Sequence, residues 1–97
     1  MARFDVYVAA GGLLVDVQTD YMDVLRTRLV IPLLAIGAAP IPARKLNPIL
    51  VIGGERYSLQ THLLSAVTAK MLGRPIDNLD RYYDEITGAI GLIFNGF

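Results

Sequence analysis

The sequence predicts an α+β fold, a small curled antiparallel sheet or barrel closed off by one C-terminal helix. Three observations predict it. Apolar and polar residues alternate with period two in several short runs, glycine pairs separate the runs at hairpin spacing, and the tail changes to helical spacing. With 97 residues and no internal repeat, low-complexity stretch or linker, the chain reads as a single domain, residues 1–97.

Phe4, Val6 and Val8 alternate with Asp5 and Tyr7, which predicts a strand with one face buried. Ala9-Ala10-Gly11-Gly12 turns the chain into a second alternating run. There Leu13, Val15 and Val17 face inward and Asp16, Gln18 and Asp20 face solvent. Arg28 to Leu34 is apolar and β-branched enough for a third strand, and Pro32 places it at an edge or a bulge. Residues 37–48 hold three of the five prolines and read as a long loop. Ile49–Ile52 and Glu55–Leu59 flank Gly53-Gly54, whose two glycines supply positive φ for a tight hairpin turn. Residues 60–66 are ambiguous between strand and turn, and Val67 to Leu72 is a short run able to pair as a strand. The sum is four or five strands.

Acidic residues crowd the start of the tail at Asp77, Asp80, Asp84 and Glu85, as a helix N-terminus favours, and Asn78 or Asp80 is placed to cap it. Ile86, Ala89 or Ile90, Ile93 and Phe97 then recur on one helical face, and Tyr83, Ile90, Phe94 and Phe97 widen the stripe. Nothing charged follows Glu85, so the helix has too little polar surface to face water on one side. Gly88 and Gly91 each cost about 1 kcal/mol relative to alanine inside a helix. Close approach of another backbone would offset that, from this chain's sheet or from a partner subunit. Gly88, Ile90, Ile93, Phe94 and Phe97 are the candidates for a subunit interface, and core packing alone is the competing reading. Gly96 reads as the helix stop, with Phe97 folded back on the last turn.

Composition supports association. The apolar fraction is 54% before the nine glycines are counted, above the ~45–50% usual for a count that includes glycine. A homodimer interface is the natural destination for the surplus. Nine basic residues balance nine acidic ones, so no global field draws the protein to DNA or to anionic lipid. The absence of cysteine excludes disulfides and thiolate chemistry and points to a cytoplasmic protein. The N-terminus lacks the apolar core of a signal peptide. The apolar stretch 29–43 is shorter than the ~20 residues of a membrane span and is broken by Pro32, Pro40 and Pro42.

The residues offer little for catalysis. His62 is the only imidazole, which rules out a multi-histidine metal site, and any metal would rest on carboxylates without motif spacing. Ser58 and Ser65 lack a nucleophile-elbow setting, and a triad would need Asp16 or Glu55 brought in by the fold. Asp16, Asp20 and Asp23 are explained as a solvated strand face before they are a carboxylate cluster. Gly11-Gly12 and Gly53-Gly54 are turns before they are phosphate cradles. Arg26, Arg28, Arg44 and Lys45 make a modest basic patch that reads as a solvated face. No enzyme and no cofactor is expected; these residues describe a dimeric binding domain.

Five blocks carry a resemblance to a known family. They are Phe4-x-Val-Tyr7, Val15-Asp-Val-Gln-Thr-Asp20, Leu29-Val-Ile-Pro-Leu33, Leu46-x-Pro-x-x-x-Ile-Gly53 and Ala89-Ile-Gly-Leu-Ile-Phe-Asn-Gly-Phe97. In this order and spacing, over nearly the whole chain, they resemble the CcdB family of toxins. The resemblance implies an SH3-like antiparallel barrel ending in a helix, and a homodimer with the helices near the two-fold axis. It implies a toxin of a type II toxin–antitoxin module that binds the DNA gyrase A subunit and traps the cleaved complex. It also implies a CcdA-like antitoxin, whose disordered C-terminal segment wraps the toxin and with which it represses the operon, so that operator DNA is met only through the antitoxin.

By alignment, Phe94 and Gly96 match the family's gyrase-binding pattern. Tyr21, Met22, Gly91, Asn95 and Phe97 align with it but depart. Asn95 stands where the family carries tryptophan, Gly91 where it carries asparagine, Tyr21-Met22 where it carries two isoleucines, and Phe97 where it carries an aliphatic residue. The first hairpin loop is also shorter and has lost its charges, which weakens the expected antitoxin contact there. The alternative reading is therefore a homologue that no longer poisons gyrase and keeps only antitoxin binding and co-repression.

Overall fold

The computed structural model describes residues 2–9, 11–22 and 24–96, with Met22 described by its backbone alone. Seven strands form one antiparallel sheet: β1 (Asp5–Ala9), β2 (Gly12–Asp16), β3 (Thr27–Ala35), β4 (Ile49–Ile52), β5 (Glu55–Leu59), β6 (Ser65–Thr68) and β7 (Asp77–Asn78). They are followed by the helix α1 (Tyr83–Asn95). Strand order is β4-β5-β3-β2-β1-β7, with β6 on β3, so the sheet curls into a nearly closed SH3-like barrel with one C-terminal helix. The expected fold class stands, with more strands than the sequence pattern resolves.

Register explains the core. Val6 lies opposite Val15, Val15 opposite Ile31, and Leu33 opposite Leu59, so one face presents a continuous apolar surface. Phe4, Leu50, Leu79, Ile86 and Ala89 complete the cluster, and α1 therefore packs over this face. Gly53 and Gly54 have φ of +60° and +81°, the mirror-image turn that two-residue hairpins favour.

Several local expectations are corrected. The second strand ends at Asp16 and does not run to Asp20. Asp16 and Gln18 are buried, not solvated, and Tyr7, expected on the polar face of its strand, is buried with Val30 and Leu72 in a second cluster on the sheet's other side. Asp23 lies outside the described residues. Arg28 is no part of a surface patch: it is 1% exposed beside a fully buried Asp16. Its Nε donates to Asp16 Oδ2 at 2.7 Å, and Nη2 lies 2.7 Å from the same oxygen. Asp16 Oδ1 accepts from the Gln18 backbone N–H, and Gln18 Oε1 accepts from the Leu29 N–H, so the pair is stitched to both strands.

Pro32 does not mark an edge strand. β3 is central, pairing with β2 on one side and on the other first with β6 (27–30) and then with β5 (33–35). The Pro32 carbonyl accepts from Gln60 N–H at this junction. Since N–H and C=O of one strand residue point the same way, the donor that proline lacks would have faced the gap between β6 and β5. Residues 65–68 form the strand expected at 67–72, and 69–71 form a 3-10 turn.

The helix begins later than its acidic signal suggests. Residues 80–82 form a 3-10 turn, whose Asp80 N–H is capped by Asn78 Oδ1 at 2.9 Å, and Tyr82 is the N-cap of α1 without a side-chain cap. This turn also closes the barrel. Arg81 donates to the carbonyls of Asn78 and Val51 at 3.0 and 2.9 Å and pairs with Asp77 at 3.1 Å, while Tyr82 OH accepts from Val51 N–H. The β7 end and the free edge of β4 are thereby joined. The hydrogen bonds from Arg81 hold the Asp77 carboxyl below the usual carboxylate range, and Asp77 in turn raises Arg81.

Candidate functional site

The exposed end of α1 is the candidate binding surface. Ile86 and Ala89 are buried and Ile90 packs on the main core, so the first half of the helix is anchored by the chain's own sheet. Three residues further on that support runs out. Ile93 is 41% and Phe94 67% exposed, and Asn95 follows in the open. Gly96 adopts φ of +76° and its N–H reaches the Leu92 carbonyl at 3.1 Å, a left-handed stop that ends the helix with Phe94 and Asn95 on display. Gly91 is half-buried, and Phe97 lies outside the described residues.

Gly88 answers the question its position raises. Among the described residues a Cβ built there meets nothing within 4 Å beyond the adjacent helix backbone and chain neighbours, so no packed sheet or loop segment requires a glycine. Of the two reasons that sequence offers for it, the intrachain one does not hold.

Tyr21 sits elsewhere. It is 93% exposed in the 3-10 turn 20–22, beside Arg3 and Thr19. Asp20 Oδ1 accepts from the Arg3 N–H at 2.9 Å, and the Arg3 guanidinium lies 4.9 Å from the Phe4 ring centroid and 5.1 Å from that of Tyr83. Phe4, at φ of +71°, meets Tyr83 edge-on at 5.9 Å. The Tyr21 turn is thus held near the first residue of α1. Phe94 is 11 positions further along, roughly 16 Å at 1.5 Å per residue. One chain places Tyr21 and Phe94 toward opposite ends of its helix. The side chain of Met22 is outside the described residues.

The groups considered for chemistry are not assembled. Ser58 is buried and its Oγ accepts from Gln60 Nε2, while His62 is exposed with Nδ1 3.4 Å from Asn47 Nδ2. Among the described residues no three His, Cys, Asp or Glu side chains are grouped to hold a metal ion, and no helix is long and apolar enough to cross a membrane. What the surface offers is apolar contact area.

A protein-family model described as CcdB protein matches residues 3–96. The chain belongs to the CcdB family. Membership makes it a toxin of the toxin–antitoxin kind, with an antitoxin and gyrase as the family's general partners. In this CcdB-family chain Phe94 and Gly96, the two positions expected to match the family's gyrase-binding pattern, lie at the exposed helix end.

Sequence reasoning missed two features. The Asp16–Arg28 pair had a signal: extending the β2–β3 register by two residues sets Gln18 opposite Arg28, on the face that already holds Asp16 and Val30. The second is a groove on the other flank of α1, walled by the loop at Arg44 and Lys45, to which no period in the sequence pointed.

Proposed function

We propose that this CcdB-family protein acts as a homodimer that binds the A subunit of DNA gyrase and traps the cleaved DNA–gyrase complex, and that it co-represses its own operon with an antitoxin whose disordered C-terminal segment wraps it. The observation that carries the reading is the family match over 3–96 joined to an apolar helix end offered to solvent at Phe94 and Gly96. The cytoplasm is the compartment where gyrase and operator DNA are met.

Dimerisation rests on Gly88, Ile90, Ile93, Phe94 and Phe97. Packing two helices antiparallel about a two-fold axis would bring Phe94 of one copy toward the Tyr21 end of the other, making one surface from groups that a single chain holds apart. Tyr21, Met22, Gly91, Asn95 and Phe97 then rebuild the gyrase contact around Phe94 and Gly96. Operator DNA is reached through the antitoxin, since the chain is electrically balanced and Arg28 is buried in an ion pair.

One residue favours a second reading. Interface energy concentrates in aromatic and arginine anchors, and asparagine at 95 in place of tryptophan forfeits roughly 2–4 kcal/mol, or about 30- to 1000-fold in affinity. On that reading the protein binds its antitoxin and co-represses without poisoning gyrase. Calorimetry against the gyrase A dimerisation region, with a cleavage-complex assay beside it, separates the two. Micromolar or tighter binding with trapped cleavage supports the poison. A folded dimer that neither binds nor traps cleavage leaves only the second.

A further inference from the structure

The flank of α1 turned away from Phe94 borders a groove of about 740 Å³. Pro48, Ala89 and Leu92 give it an apolar lining, and Gly88 opens onto it. Arg44 and Lys45, on the 3-10 turn Arg44–Leu46, form its loop wall. Arg44 is held at φ of +23°, a conformation that L residues other than asparagine, aspartate and histidine seldom adopt. A turn of that kind persists only where its surroundings hold it.

Two side chains hold it. Thr61 Oγ1 donates to the Leu46 carbonyl, tying the turn to the start of the 3-10 segment 61–63. Asn47 is buried, its Oδ1 accepts from the Ala43 N–H at 3.1 Å, and its Nδ2 donates to the Leu59 carbonyl at 2.9 Å. Both of its partners are backbone groups, so the orientation of the amide is fixed: turned over, it would set oxygen against carbonyl and N–H against N–H. Nδ2 also lies 3.4 Å from His62 Nδ1. With Nδ2 fixed as a donor, Nδ1 can only accept, which puts the proton of the neutral ring on Nε2. Protonated, the ring carries N–H at both nitrogens and faces Asn47 donor to donor.

We propose that His62 is a protonation-sensitive latch on this wall: the neutral imidazole completes the Asn47 anchor, and the imidazolium releases it and slackens the turn that carries Arg44 and Lys45. The latch goes beyond the toxin reading above and holds whatever occupies the groove. His62 is exposed, so protons reach it without rearrangement of the fold. The charged groups on the elements packed against segment 61–63 are Arg44 and Lys45 on the turn, Asp84 and Glu85 on α1, and Arg28 on β3, while Glu55 and Arg56 lie at the far end of β5. Arg28 is committed to Asp16, and among the described residues none of the carboxylates forms an ion pair with His62 that would hold the imidazolium against Asn47. His62 is the only imidazole in a chain without cysteine, so no other side chain ordinarily changes charge between about pH 5 and 8.

The test follows amide hydrogen exchange by NMR in the full chain from about pH 8 to about pH 5.5, with rates corrected for their intrinsic pH dependence and the His62 ring signals reporting protonation. The Ala43 N–H bonds to Asn47 Oδ1, and the Leu46 and Asn47 N–H groups bond to the Ala43 carbonyl, so these three amides read the anchor. Expected is a loss of protection there of about two- to tenfold as the ring protonates, the net worth of one hydrogen bond, while the β2 and β3 amides keep theirs. His62→Asn sets an amide oxygen where Nδ1 stood and should stay protected at both ends of the range. His62→Phe removes the acceptor and should show the reduced protection throughout. The ring nitrogen shifts of the neutral parent should place the proton on Nε2. Unchanged protection of the three amides on protonation, a proton on Nδ1, or the parent's pH dependence persisting in either variant would overturn the latch.

Discussion

Removing one partner of the Asp16–Arg28 pair is the sharpest test of how the sheet is held. Both side chains are out of solvent, at 0% and 1% exposure, and Asp16 also accepts the Gln18 backbone N–H. In Arg28→Met the carboxylate keeps that one bond and loses its counter-charge, the condition in which a broken buried pair costs about 3–5 kcal/mol. Against a total of roughly 5–15 kcal/mol for a domain, that is a large fraction. For a chain of this length it lowers the thermal midpoint by roughly 12 °C or more. Asp16→Leu should also destabilise, because it removes the carboxylate that Arg28 Nε and Nη2 face and the acceptor of the Gln18 N–H. The double variant should cost clearly less than the sum, since two apolar side chains replace the pair without leaving a buried charge. Urea denaturation at one fixed protein concentration measures all three, so that mass action on any association is the same for each variant. Single variants that cost under 1 kcal/mol, or a double variant that is simply additive, would refute the account.

Gly12→Ala should destabilise by about 1–3 kcal/mol in thermal melts, because its Cβ would sit 2.7 Å from the Leu33 carbonyl oxygen. Gly88→Ala, with open space around it, should instead gain up to about 1 kcal/mol from helix propensity. Arg81→Ala unties β7 from the edge of β4 and should cost about 1 kcal/mol, less than buried charge-assisted bonds because the side chain is half exposed. The Asp77 carboxyl is held below its ordinary value of 3.8, so its contribution is complete above that pH and is lost as pH falls through the lower folded value. Asp77→Asn should flatten the stability–pH curve in that acid window by no more than a few tenths of a kcal/mol, as pH-stepped urea titrations would show. Asn95→Trp should tighten gyrase binding about 30- to 1000-fold; no gain in calorimetry would mean that more than the anchor departs from the family's contact.

Much of the fold was legible because it depends on local rules. The Gly53-Gly54 hairpin, the burial of Phe4 and Val6 (though not of Val8, which is 67% exposed), and the stop at Gly96 each follow from the backbone freedom or periodicity of a few adjacent residues. The errors came where distant segments decide. Tyr7 reads as a solvent-facing alternate until residues 69–76 bring Leu72 over it. Asp16 and Arg28 each read as surface charge, and they neutralise one another only once strand register sets them on one buried face. Pro32 reads as an edge because its neighbours on that side are two different strands, both later in sequence. The exposed helix end was visible in its lack of charge, whereas the groove walled by Arg44 and Lys45 was not, since it exists only where a proline-rich loop returns to the helix.

Gly88 ties the two sides of α1 together. Stability alone would favour alanine there by about 1 kcal/mol, and among the described residues nothing beyond the adjacent helix backbone and chain neighbours stands within 4 Å of the missing Cβ. Packing within the described chain therefore gives no reason for a glycine at that position. The core-packing explanation, open on sequence grounds, fails for this residue. Phe94 is two thirds exposed on a different flank. A single helix with two independent unfilled surfaces is what a small protein needs if it is to hold one partner while being bound by another, and the Gly88 and Asn95 variants address those surfaces one at a time.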